Sequence, residues 1–456
     1  MVPVTEGPAW ALDAAELVAS FRAGRLDPVE VLEACLERIQ ATNPALNAVV
    51  TLDPAGARAA AEASAARWRT GAALSELDGV PMTVKDNLFV GGLRATWGSR
   101  LYGNHIAPRD DIPVARLRAA GMVILGKTNT PELALAGFTN NPLFGSTGNP
   151  WAPDHQPGGS SGGAVAAVAA GMGPIALATD AGGSLRRPAG HTGVATIKAT
   201  PGRVPRRWGF PPLAADFQVI GPIARSIRDL RSTLAIIGDA RPVLPVPGPL
   251  RIQAVRRCGA APVDPLVLAA FDSALDVLRR LGHSVEVVAA PWEPEEIAAL
   301  FSTISSVGVA RAVAGFDGWE DLVTPAIRAQ TIAGLALPAT DYLRTLDKIA
   351  VIRAELGDWI AAADVVVTPS AAVLPWPRDA TGPTVVGGLA AGPRAAAIYS
   401  TVFNLAALPA VVIPSSPIGG LPTGLQLVAP AFQEERLLDL AEAVEQAMPW
   451  RKLALV

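Results

Sequence analysis

The stretch AVAAVAAGMGPIALAT, residues 164–179, decides between a membrane span and a buried core. It is weakly apolar, but a bilayer helix needs about 20 such residues. Gly171, Gly173 and Pro174 also interrupt it, and glycine and proline punctuate a helix rather than continue it. The stretch therefore reads as a small-residue core helix over 164–170, a turn, and a strand over 175–178. Residues 80–84 and 122–125 are likewise short apolar runs flanked by Gly and Pro, with a helix over 114–120 between them. Strands alternating with helices predict an α/β fold.

Toward the N-terminus, Asp13 and Glu16 have capping-box spacing and open a first helix. Asp27 and Pro28 open a second, along which Val29, Leu32, Leu36 and Ile39 keep helical spacing. Residues 55–70 are an alanine-rich third helix. Downstream, residues 239–250 form a proline-rich linker, and 251–255, 265–281 and 284–288 read as a βαβ unit. Residues 293–362 are mainly helical, 365–367 and 410–413 return to strand, and 434–446 close with a helix. Strands on both sides of the linker are expected to join one sheet.

The 456 residues can bury a sizeable core; half are hydrophobic and 17% are charged. The net charge of −3 and the lack of a basic stripe argue against nucleic acid. Cys35 and Cys258 cannot make a disulfide framework, and without a CxxC motif no metal is expected. Cys35 reads as a small buried hydrophobe. Residues 1–6 lack a basic region ahead of an apolar run, so no signal peptide, a cytoplasmic location and no membrane partner are expected. Lysine is scarce: only Lys85, Lys127, Lys198, Lys348 and Lys452 occur, against many arginines. A buried lysine can lose its proton; an arginine cannot.

Two motif matches fail on physical grounds. Residues 121–128 fit G-x-x-x-x-G-K-T, but the four middle residues are apolar and belong in a strand, not a phosphate-cradling loop. Gly158–Gly162 fits G-x-S-x-G, but an elbow of that kind follows an apolar strand, and residues 151–157 read as a loop. Only His191 and His283 follow in the order that such a triad needs.

What remains is a set of hydroxyls, lysines and glycines. Gly158–Gly163 contains Ser160 and Ser161, and Gly182-Gly183-Ser184 sets flexible peptide N–H groups beside a serine, as an oxyanion hole requires. A chain so poor in histidine needs another base, and a neutral lysine is the next option. Lys85 ends an apolar strand, where desolvation disfavours the ammonium form. Lowering its pKa to roughly 7–8 costs about 4 kcal/mol. Lys127 has the same local setting and is a rival; Lys198 is a weaker one.

In order along the chain come Lys85-Asp86-Asn87, Gly126-Lys127-Thr128-Asn129, Asn149-Pro150-Trp151, residues 157–163, residues 179–186 and Pro201-Gly202-Arg203. Ser160 lies 75 residues after Lys85, and Ser184 lies 24 after Ser160. In these motifs and spacings the chain resembles the amidase signature family; the likeness continues more weakly to the N-terminal helices and to residues 424–428. The resemblance implies a single large α/β domain with a central mixed β-sheet covered by helices on both faces. It implies a tail over 1–10, the domain over 11–456, a catalytic core over 79–203, and a variable, mainly helical substrate-side region over 204–362. It also implies a Ser–Ser–Lys triad: Ser184 as nucleophile, Ser160 as bridging serine after a cis Gly159–Ser160 bond, and Lys85 as base. Backbone N–H groups of Ala181, Gly182 and Gly183 would hold the oxyanion, and Asp180, Arg186 and Ser161 would support the loop and lysine. No cofactor is implied.

The chain departs from the family wording at Ala181, where Thr or Ile is frequent, at Arg187, where an apolar residue is usual, and at Trp97, where a small one is. Family members cleave amides of many kinds, and the shared motifs do not separate them. Trp97, Phe138, Trp208 and Phe210 are the candidate substrate-binding side chains, with 205–219 read as a mobile lid over an apolar pocket. The leading expectation is an aryl or small apolar amide or carbamate (urethane) hydrolase, working as a monomer or homodimer. The alternative is the A-type member of a glutamyl-tRNA amidotransferase, which works inside a complex and passes ammonia onward.

Overall fold

Helices begin where the sequence caps them. At α1 (Ala14–Arg22) the Glu16 N–H donates to Asp13 Oδ1 at 2.9 Å and the Asp13 N–H to Glu16 Oε2 at 2.8 Å. Asp27 and Glu30 repeat the reciprocal cap at α2 (Pro28–Leu46), and Asp53 caps α3 (Pro54–Arg69). The computed structural model describes residues 7–241, 248–392 and 394–454, so part of the 239–250 linker and of the 1–10 tail lies outside the described residues. Within that tail segment, Trp10 sits in a single 3₁₀ turn with the Arg38 guanidinium 4.3 Å above its ring.

Strands β1 (Val49–Leu52), β2 (Pro81–Lys85), β3 (Val123–Thr128), β4 (Ile175–Asp180), β5 (Ala195–Lys198) and β6 (Val219–Ala224) form one half of the sheet. Strands β7 (Arg251–Val255), β8 (Ser284–Val288) and β9 (Val365–Pro369) follow; β10 (Val385–Val386) and β11 (Leu389–Ala390) make a separate hairpin. Strands β12 (Ala410–Ile418) and β13 (Leu421–Val428) join the halves. The order is β1-β3-β2-β4-β6-β5-β12-β13-β9-β7-β8, so one 11-stranded sheet runs through both sides of the linker. It is mixed: β2 runs parallel to β3 and β4, and β7 parallel to β8 and β9, with antiparallel pairs elsewhere.

Alternate residues of a strand face opposite sides, and both sides here are covered. Met82, Val84, Ile175 and Leu177 pack on α4 (Ile112–Ala119) and α7 (Ile227–Ile237), among others. Ala176 and Ala178 meet α5 (Gly162–Ala169) and α6 (Arg186–Thr192) on the other face. There Gly163 lies so close that a Cβ would stand 2.3 Å from Asn129 N, which is why the helix begins on glycine. Farther along, α8 (Pro265–Arg280) completes the βαβ unit, and α9 (Pro294–Val313), α10 (Trp319–Leu322), α11 (Pro325–Ala336) and α12 (Ala339–Ala361) form the helical region. The chain ends with α13 (Thr401–Leu405) and α14 (Glu434–Ala447). Helix α9 is long and apolar enough to cross a membrane, but Ile297, Leu300, Phe301 and Ile304 are buried in the fold.

Residues 123–128 of the rejected phosphate-loop match are indeed a buried strand, and residues 151–157, directly before the G-x-S-x-G match, are turns and loop rather than a strand. Sequence patterning missed β1, β5, β6 and β13 of the main sheet, and the β10–β11 hairpin within the expected 375–393 loop. In β6, Gly221 and Pro222 look like breakers. Gly221 is needed there because a Cβ would sit 2.2 Å from Ile197 O of the neighbouring strand.

Candidate active site

Three parallel strands, β2, β3 and β4, end together, and the C-terminal ends of such strands are where open α/β sheets hold ligands. Lys85 is the last residue of β2 and Asp180 the last of β4. Ser160 and Ser161 precede α5, and Ser184 precedes α6.

Lys85 is fully buried. Its Nζ lies within hydrogen-bond distance of three hydroxyls, Ser160 Oγ at 2.8 Å, Ser161 Oγ at 3.0 Å and Thr179 Oγ1 at 3.3 Å. Ser161 Oγ in turn donates to Thr179 O at 3.2 Å, and Asn87 Nδ2 donates to Thr179 Oγ1 at 2.9 Å. Burial pushes the Lys85 amine down to about 7, against the opposing pull of the Asp180 carboxylate. A nitrogen poised there is free base for much of the time near neutral pH. The Gly159–Ser160 peptide is cis, and Thr130 Oγ1 donates to Ser160 O at 2.9 Å.

The rival lysines lie elsewhere. Lys127 pairs with Asp86 at 3.3 Å and donates to Leu88 O at 2.8 Å. Lys198 is pushed by burial down to about 7 as well, but its Nζ reaches Ala199 O at 3.3 Å and lines no part of the cavity described below.

Asp180 organises the loop before Ser184. It accepts from Gly183 N at 2.8 Å, Leu185 N at 3.0 Å, Arg186 Nε and Nη2 at 3.0 Å each, and Asn404 Nδ2 at 2.9 Å. Burial alone would raise this carboxyl; the Arg186 charge and hydrogen bonds outweigh it and hold the group well below its ordinary range. Arg186 also donates to Ser400 O at 2.9 Å, to Gln426 Oε1 at 2.8 Å and to Asn404. The Gly183 N–H, expected in an oxyanion hole, is thus committed to Asp180. Ala181 and Gly182 line the cavity.

That cavity has a volume of about 290 Å³. Ser160 and Ser184 both open onto it, with Thr179 between them in the wall. Leu133, Phe138, Leu213 and Phe301 make its apolar side; Arg187, Gln218 and Arg394 its polar side. A larger depression of about 890 Å³ lies between α2 and α3, but it is shallow and contains none of these hydroxyls.

Of the four aromatic candidates, only Phe138 lines the cavity. Trp97 and Phe210 stack on each other at 4.6 Å in a buried cluster with Phe89 and Tyr102, behind Leu133 and Leu213. Their rings fill core, so neither touches the cavity. Trp208 is exposed, between the guanidinium groups of Arg109 and Arg207. Segment 205–219 does border the cavity, through Leu213, Ala214 and Gln218 rather than through its aromatics. Thr179, Asn404 and Gln426 were missed in the sequence as members of the site. Gln426 fell within a recognised motif; nothing in the sequence marks Asn404.

The amidase family model matches residues 30–438. The glutamyl-tRNA(Gln) amidotransferase of Roseiflexus castenholzii has an A-type chain that is 35% identical, covering 97% of each chain. The indoleacetamide hydrolase of Bradyrhizobium diazoefficiens is also 35% identical, over 96% of this chain and 87% of that one. The solved structure of a 6-aminohexanoate cyclic dimer hydrolase with its substrate superposes with a TM-score of 0.86 at 29% identity, covering 97% and 98% of the two chains. The chain belongs to the amidase family, the amidase signature enzymes. It is a serine hydrolase acting on carbon–nitrogen bonds.

Proposed function

We propose that the protein hydrolyses small amides through an acyl-enzyme on Ser184, with Ser160 as proton relay and Lys85 as base. Neutral Lys85 draws a proton through Ser160 while Ser184 attacks the carbonyl. Backbone N–H groups of Ala181 and Gly182 stabilise the oxyanion. Ser160 returns the proton to the departing amine, and water then enters by the same relay and releases the acid. The observation that carries this reading is the 2.8 Å contact of a fully buried Lys85 Nζ with Ser160 Oγ, beside a cavity shared with Ser184.

About 290 Å³ is near the lower end of ligand pockets, ~300–1,000 Å³. Phe138, Leu133 and Phe301 favour an aryl or short alkyl group. A carbamate presents the same electrophilic carbonyl and belongs to the same proposal. The test is turnover of anilides, primary amides and aryl carbamates by wild type beside Ser184→Ala. Turnover that survives in Ser184→Ala refutes the mechanism.

Identity of 35% over almost the whole length keeps a second reading in view, the A-type component of an amidotransferase complex. Turnover of simple amides by the purified chain alone speaks against it; stable capture of the other components of such a complex speaks for it.

A further inference from the structure

Two guanidinium groups face the cavity with no carboxylate to match them. Arg187 is buried on the first turn of α6, three residues after Ser184, and Arg394 lies partly buried in the same wall. Among the described residues neither forms an ion pair with Asp or Glu; the nearby Asp180 is committed to Arg186. The hydrogen bonds they do make are long. Arg187 reaches Gly183 O at 3.5 Å and Gly159 O at 3.4 Å, and Arg394 reaches Thr401 Oγ1 at 3.4 Å while lying 4.5 Å over the Phe301 ring. Arg186, one residue earlier, makes bonds of 2.8–3.0 Å and is fully engaged. Burial brings both groups down to about 10, and for Arg187 the like charge of Arg394 adds to the fall. A desolvated cation without a counter-charge is a standing cost that a bound anion would remove. A guanidinium fork fits a carboxylate with two parallel hydrogen bonds.

We propose that the substrate is an amide that also carries a carboxylate, on its acyl or its amine part, held by Arg187 and Arg394. The carboxylate stands only a few bonds from the scissile carbonyl, because Arg187 reaches the carbonyls of Gly183 and Gly159, the residues just before the two serines. The small volume sets the same limit. This inference rests on the amidase reading of the same cavity.

The test compares succinamate with 4-methylpentanamide, its neutral isostere on the acyl side, and N-acetylglycine with N-isobutylacetamide on the amine side. We expect wild-type kcat/KM at least 100-fold higher for one carboxylate than for its isostere. The pair that shows it identifies which side carries the anion. That ratio should fall at least tenfold in Arg187→Met and in Arg394→Gln; a ratio cancels any general damage, and Arg394 at the cavity rim supplies a second variant should Arg187→Met not fold. In parallel, succinate and N-acetylglycine are titrated into Ser184→Ala by calorimetry, with binding expected to weaken at least tenfold when Arg394→Gln is added. Neutral isosteres cleaved as well as the carboxylates, or a ratio unmoved in both variants, overturns the inference and leaves the amidase reading intact. Carboxylate binding with no Ser184-dependent hydrolysis of any of the four does the reverse.

Discussion

Replacing Asp180 with Asn tests how far one buried charge holds the nucleophile loop together. The two oxygens accept five hydrogen bonds, from Gly183 N, Leu185 N, Arg186 Nε and Nη2, and Asn404 Nδ2. An amide has one acceptor oxygen and turns an NH₂ toward donors; Oδ1 accepts three of the bonds and Oδ2 two, so at least two N–H groups lose their partner. Arg186, fully buried, also loses its counter-charge. Removing one member of a buried ion pair costs about 3–5 kcal/mol, against a total stability of roughly 5–15 kcal/mol. We therefore expect Asp180→Asn to lose about 4 kcal/mol in urea denaturation at pH 7. With the Gly183 or the Leu185 N–H released, the loop that carries Ser184 and the Ala181 and Gly182 N–H groups loosens, and kcat should fall about 10²–10³-fold, the scale of losing an oxyanion donor. The pH dependence has a definite sign. The native carboxyl lies below its ordinary 3.8, so its stabilisation is complete above that value and is lost only as pH falls toward the native pKa. The variant's deficit should thus stay level between pH 8 and pH 5 and shrink only in acid. A deficit below 1 kcal/mol at pH 7, or one that shrinks between pH 8 and pH 5, would refute this account of the loop.

The other predictions follow from single contacts. With Lys85 titrating at about 7, kcat/KM for a neutral amide should rise about tenfold per pH unit below that value and level off above it; a flat profile from pH 5 to 8 would contradict this. Lys85→Met should lower the plateau by about 10²–10⁴-fold. The fall from 10.5 to about 7 equals on the order of 5 kcal/mol, a penalty fully present below the native value and relieved as pH rises to 10.5. Lys85→Met should therefore unfold at a higher temperature than wild type at pH 6. In Gly183→Ala, at φ +104°, the new Cβ meets Ser400 Oγ at 2.2 Å; melting should register a loss of about 1–3 kcal/mol, with kcat down at least tenfold. Phe210→Ala should lose about 3–5 kcal/mol yet leave KM for aryl amides within about threefold, because its ring packs on Trp97 behind the cavity wall. A large KM change with full stability would return Phe210 to the pocket.

Local features of this chain were legible because they depend on neighbours in sequence. Capping residues, the Gly–Pro punctuation around the apolar runs, and the scarcity of lysine each carry their meaning within a few positions. The lysine–serine contact was reached through motif spacing, not through local pattern. Features set by strand order and side-chain facing were not legible. Gly221 and Pro222 disguised a central strand, since the close approach that calls for glycine comes from β5, which precedes it by about two dozen residues. Trp97 and Phe210 are aromatic and lie near the site in sequence, yet which way a ring turns depends on Leu133 and α9, which occupy the intervening space. The Gly183 N–H looked free because Asp180, three residues before, gives no sign in sequence of curling back to accept it. Arg187 stood out only as a departure from the family wording; its lack of a counter-charge is a property of the folded wall.

The scarcity of lysine makes the central claim directly measurable. With five lysines in the whole chain, ¹³Cε-lysine labelling gives a spectrum simple enough to assign by substitution. The resonance that disappears in Lys85→Met should titrate near pH 7, showing an uncharged amine at working pH. If that resonance titrates at 10 or above, the amine in contact with Ser160 is charged throughout, and it cannot be the base.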